Sequence, residues 1–242
     1  MGEGHGDVQG AFFRRFDAQG NPIDLVDRIA DTSASAPFFP DIAIQPDGHF
    51  VLVWQQGVDI ALVRFDDSGN RIAFQIVNPL FFDGFTPSVA TSADGTVFVA
   101  GLAESMFLGV AGIATAQYDA DLSSREFETT KSAANARNPV ISVTPDGGAF
   151  VTWNEPSDSD GQAVIGYWVE TREQFQINVN EAGDQTFASS AVIDRNNLVA
   201  VWTGVDSDGT TGVFARQFGT AANELPVAFA GDAVTILSLI HI

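Results

Sequence analysis

The chain has 242 residues, 45% of them hydrophobic and 17% charged, enough for a sizeable core in one or two domains. Its net charge of −20 repels phosphate backbones and anionic bilayers, which argues against a nucleic-acid partner, and no apolar run of about 18 residues supports membrane insertion. With no cysteine, disulfides and thiolate metal sites are excluded. Such an acidic surface serves solubility and attracts cations, calcium in particular. The 20 Phe and 23 Gly point to strands punctuated by turns, an all-β chain.

The first residues, Met1–Gly6, lack the basic and apolar regions of a signal peptide. Gly2, Gly4 and Gly6 have no strand before them and no helix after, so they make no phosphate loop. Gly10–Asn21 matches Ile60–Asn70, so it reads as the third strand of a unit and its turn; Pro22–Asp27 then serves as the fourth strand. The unit's first hairpin is absent, and Met1 is expected not to be the natural start of the domain.

Four segments then align without a gap: Pro40–Trp54, Pro87–Gly101, Pro139–Trp153 and Ala188–Trp202, with starts 47, 52 and 49 residues apart. Each reads as a β-hairpin. Its turn is Asp47-Gly48, Asp94-Gly95, Asp146-Gly147 or Asn196-Asn197, residues that suit the positive φ of tight turns. A second hairpin follows in each unit. Its first strand is Ala61–Asp66, Ala114–Asp119, Val164–Glu170 or Val213–Phe218; its second is Phe74–Asn78, Arg125–Phe127 or Phe175–Asn180.

Four strands per unit of about 48 residues match one propeller blade. The expected fold is all-β: a β-propeller, or a partial arc of one, built of four-stranded antiparallel blades. The repeat domain covers 1–222, with a partial blade at 1–30 and blades at about 36–80, 85–130, 137–180 and 186–222. One blade cannot bury both faces, so neighbours must stack on it. Tandem immunoglobulin-like sandwiches would need about seven unlike strands per 100 residues, which the close repeat opposes. Residues 223–236 read either as a last strand or as the start of an immunoglobulin-like PKD domain. Residues 237–242 match a translated sequencing-adapter end.

Two loops after the closing tryptophans repeat an acidic motif, Asp158-Ser159-Asp160-Gly161 and Asp206-Ser207-Asp208-Gly209. Carboxylates at alternate positions beside a Gly suit a calcium loop, with Asp158, Asp160, Asp206 and Asp208 as ligands; an Asp-rich turn is the other reading. Trp54, Trp153 and Trp202 are expected to pack blade against blade rather than stack on sugar, with Trp168 the better candidate for an exposed aromatic. His5 and His49 have no partner at metal-ligand spacing, and Glu155 with Asp158 is one local carboxylate pair among 31 acidic residues.

The last unit carries a resemblance. Phe175–Asn180, Gly183-Asp184-Gln185, Ala200–Trp202, Asp206–Gly209 and Gly212–Phe218 resemble the propeller-like repeats of large secreted bacterial proteins, often adhesins exported alongside calcium-binding RTX repeats. Gly2–Gly20 repeats the end of that pattern, and Gly101 departs from it where the other units have Trp. The resemblance implies an extracellular or cell-surface, non-catalytic structural or adhesive module, flanked by other domains of its polypeptide and offering its surface to a carbohydrate or protein ligand. The competing reading is part of a propeller hydrolase or lyase acting on polysaccharide. Such an enzyme would gather its groups at the central mouth.

Overall fold

The computed structural model describes residues 10–31, 37–77, 83–105, 110–123, 125–131, 135–157, 161–179, 183–205 and 208–219. Among these every regular element is a strand. β1 (Ala11–Phe13) pairs with β2 (Arg28–Asp31) as a half-blade. Blade I is β3 (Pro37–Ile44), β4 (Phe50–Gln56), β5 (Asp59–Phe65) and β6 (Arg71–Val77). Blade II is β7 (Asp83–Thr91), β8 (Val97–Ser105), β9 (Val110–Tyr118) and β10 (Arg125–Lys131). Blade III is β11 (Arg137–Val143), β12 (Ala149–Pro156), β13 (Gln162–Trp168) and β14 (Glu173–Gln176). Blade IV is β15 (Thr186–Asp194), β16 (Asn197–Val205) and β17 (Thr211–Phe218). All pairings are antiparallel and follow chain order.

Short turns set the register. Gly48, Gly95 and Gly147 have φ of 86°, 89° and 91°, and each donates its N–H at 3.0 Å to the carbonyl three residues back. Only a glycine takes that conformation without strain. The aspartate before it caps the turn: Asp47 accepts from the His49 N–H and Asp94 from the Thr96 N–H, both at 3.0 Å. Asp146 takes the Thr144 hydroxyl instead. The fourth turn differs from expectation. Neither Asn196 nor Asn197 has a positive φ; the Asp194 carboxylate accepts from the Asn196 N–H and the Asn197 amide and shapes the bend itself.

The sheets stack face to face, and alternate side chains go to alternate neighbours. In β4, Val51 and Val53 pack on blade II, while Phe50, Leu52 and Trp54 face β1–β2. In β8, Val97 and Val99 face blade I and Phe98 and Ala100 face blade III. A strand buried on both sides needs a continuous apolar run, as in Phe50–Trp54. In β16 burial alternates residue by residue, with Leu198, Ala200, Trp202 and Gly204 buried and the residues between them exposed or half-buried.

The half-blade departs from expectation. Pro22 forms an isolated bridge with Phe16, Ile23–Val26 bend, and the strand that pairs with β1 begins at Arg28. The cause is Asp24: its buried carboxylate takes two Arg15 side-chain nitrogens at 2.7 and 2.9 Å and the Arg15 N–H at 3.0 Å. Arg15 and Arg28 also donate to the Asp67 and Ser68 carbonyls, tying the half-blade to the outer turn of blade I. Residues 223–242, with the PKD-like and adapter readings, lie outside the described residues.

Candidate functional site: the axial mouth

The first strands β3, β7, β11 and β15 lie side by side, running the same way. Among the described residues each is the inner edge of its sheet, with backbone groups that no further strand pairs. Short polar side chains bridge the gaps. Asp41 accepts from the Ser88 hydroxyl at 3.0 Å and from the Val89 N–H at 2.9 Å. Ser88 accepts from the Ile141 N–H at 3.3 Å, Thr91 donates to the Ile44 carbonyl at 2.8 Å, and Ser142 meets Ser190 at 3.0 Å. These bonds join residues at the same repeat position or one apart, so the four strands begin at one end of the arc.

That end carries a repeated irregularity. Phe39, Thr86, Asn138 and Phe187 have φ of 51°, 46°, 53° and 54°, and the strand pairing slips at each. All four directly precede the first residue of the aligned segment. A left-handed conformation costs a non-glycine residue about 1–2 kcal/mol, so four in equivalent places mark a built feature. In three blades a proline follows, and it brings no N–H that the bulge would leave unpaired. In blade IV an amide does the work: Asn154 of blade III donates to the Gln185 carbonyl at 2.7 Å and accepts the Phe187 N–H at 3.1 Å.

The bulges re-aim side chains at the mouth. Phe38 and Phe39 are 55% and 58% exposed and Phe187 is 70% exposed. Arg137 is exposed beside a half-buried Asn138. At the rim of blade II, Asp83 and Glu104 are cross-strand partners, and Glu104 is exposed. Sequence reading missed both features. The pair is invisible without the register, and the bulges have no signal beyond the residue before proline.

The residues singled out from sequence fall in three places. Asp47-Gly48, Asp94-Gly95 and Asp146-Gly147 make hairpin turns at the end of the blades away from the mouth. Trp54, Trp153 and Trp202 are 0%, 0% and 7% exposed, each facing the preceding sheet. Trp168, expected to be exposed, is buried against Phe150 with ring centroids 4.7 Å apart. Glu155 accepts the Trp153 indole N–H at 2.8 Å, a packing role. His49 sits 2.6 Å from Asp47. Of the four proposed calcium ligands only Asp208 is described. Its carboxylate accepts the Thr210 N–H at 2.9 Å, and hydrogen bonds from Thr210 hold its pKa below the usual range. Asp158, Asp160 and Asp206 lie outside the described residues. Among those described, no group of three His or carboxylate side chains is placed to hold a metal.

No protein-family model and no curated protein matches the chain. Solved structures do. A GH93 α-L-arabinofuranosidase of Fusarium graminearum in complex with arabinobiose superposes with a TM-score of 0.55 at 14% identity, over 75% of this chain and 62% of that one. An α-L-arabinanase of Penicillium chrysogenum, also with arabinobiose, gives 0.56 at 14% identity over the same shares. TolB of Acinetobacter baumannii gives 0.53 at 16% identity, over 90% of this chain and 47% of TolB. The fold is a β-propeller. The chain spans less than two thirds of each of these proteins, and at such identities the likeness concerns fold alone. It nonetheless corrects one expectation: the reading of the chain as a non-enzyme falls, because two of these neighbours are glycoside-cleaving enzymes.

Proposed function

We propose that the chain is part of a propeller protein that cleaves polysaccharide, a glycoside hydrolase or lyase, with the axial mouth as its saccharide site. The observation that carries this is the grouping of Phe38, Phe39 and Phe187 with Arg137 and Asn138 where the inner strands begin. Apolar ring faces of sugars stack on aromatic side chains, while guanidinium and amide groups bind hydroxyls. Glu104, exposed at the same rim, supplies a carboxylate for acid–base cleavage of a glycosidic bond. The arabinobiose-bound neighbours make arabinan the first substrate to try. A polymeric substrate places the protein outside the cell or at its surface.

The test is release of reducing or unsaturated sugar ends from arabinan, xylan and pectin, alongside calorimetric binding of their oligosaccharides. Glu104→Gln should lower kcat at least about 100-fold with KM little changed. Phe187→Ala should raise KM instead. A protein that neither binds nor cleaves any of these polymers, while fully folded, sinks the proposal.

A further inference from the structure

Phe187 stands apart from the other three bulged residues. Pro40, Pro87 and Pro139 follow the bulges of blades I, II and III and stiffen the chain there by fixing their own φ. Blade IV has Ala188 instead. The Phe187 ring is 70% exposed, so little packing aims it. Its backbone is braced by a buried chain of hydrogen bonds. The Phe187 N–H donates to Asn154 Oδ1 at 3.1 Å, and Asn154 Nδ2 donates to the Gln185 carbonyl at 2.7 Å. The Gln185 side chain takes the Trp202 indole N–H on Oε1 at 2.9 Å and donates from Nε2 to the Val205 carbonyl at 3.0 Å. The Gln185 N–H donates to the Gln162 carbonyl of blade III at 2.9 Å.

An indole N–H and a backbone N–H only donate, so each fixes which way its amide points. Gln185 Oε1 faces Trp202, and Asn154 Oδ1 faces Phe187. Gly204 makes room, because a Cβ there would collide with Gln185 Oε1. The other blades lack these residues: the Asn154 position carries Gln55, Leu102 and Thr203, and the Gln185 position carries Pro37, Gly84 and Ala136.

We propose that Asn154 and Gln185 are positioning residues for the mouth. Through the bulge they hold Phe187 in place as a platform for a sugar ring, and so set saccharide affinity without touching the sugar. The inference rests on the reading of the mouth as a saccharide site. Both amides are 1% exposed, so a ligand meets only the ring they hold. A ring fixed beforehand loses less freedom on binding than one that wanders.

The experiment is calorimetric binding of arabinan, xylan and pectin oligosaccharides to Asn154→Leu, Gln185→Met and Phe187→Ala, and to each amide variant combined with Phe187→Ala. Asn154→Leu should weaken binding about 5- to 10-fold, the worth of one hydrogen bond, and Gln185→Met by a smaller factor. Neither should weaken it further once Phe187 is replaced. Ser142→Ala removes a different bond between blades III and IV, to Ser190, and should leave affinity unchanged. Wild-type affinity in Asn154→Leu, or an equal loss with and without the Phe187 ring, overturns the proposal. If the wild type binds no saccharide, the reading of the mouth falls by itself, and hydrogen exchange at the Phe187 amide decides the brace. Faster exchange in Asn154→Leu than in Ser142→Ala upholds the brace, and equal exchange overturns it.

Discussion

Asn154→Leu tests whether the mouth is held from the neighbouring blade. The amide makes two bonds to the bulge of blade IV, at 2.7 Å to the Gln185 carbonyl and 3.1 Å from the Phe187 N–H. Asn154 and Gln185 are each 1% exposed, so water cannot replace what is lost. Each stranded group costs about 1–3 kcal/mol. Leucine fits the space, since Leu102 holds the same repeat position in blade II, and its burial returns about 1 kcal/mol. The net cost is about 1–5 kcal/mol, a Tm lower by roughly 2–20 °C for a chain of this size. Thr203→Leu, the same position on the open face of blade IV, serves as control and should shift Tm by no more than about 2 °C. Urea unfolding of both variants supplies the free energies. An Asn154→Leu protein within about 0.5 kcal/mol of wild type would refute the strut and leave the Phe187 bulge to hold itself.

Three further outcomes follow from named contacts. Hydrogen bonds from Arg15 hold the buried Asp24 carboxyl at a pKa of about 2, below its ordinary 3.8. A depressed carboxylate stabilises the fold above its unfolded pKa and loses that contribution as pH falls from about 4 to about 2. Asp24→Asn should therefore cost up to about 2 kcal/mol at pH 7 and nearly nothing at pH 2, read from urea melts across that range. Gly101→Trp, which restores the repeat residue, should lower Tm by more than about 10 °C because Ile60 and the Phe85 carbonyl fill the space, and Ile60→Ala should recover part of the loss. For the loops at 158–161 and 206–209, millimolar calcium should raise the Tm of chelator-treated protein; an unchanged melt removes calcium from the account.

The repeat was legible in the sequence because its signals are local. An Asp-Gly pair between two apolar runs bends the chain wherever it sits, and Gly48, Gly95 and Gly147 bend it with nearly the same φ. A run such as Phe50–Trp54, apolar at every position, already says that both faces of its strand are covered. Tertiary structure alone decided the rest. Trp168 looks free by its place in the chain, yet Phe150 and the blade that follows bury it. Pro22–Asp27 has the pattern of a strand, but Asp24 is worth more to Arg15 than to a ladder. The mouth consists of Phe39, Thr86, Asn138 and Phe187, about a blade apart in the chain and joined only when the inner strands align. Turn and strand propensities act over a few residues, whereas an axis exists only after sheets that share no backbone bonds have packed together.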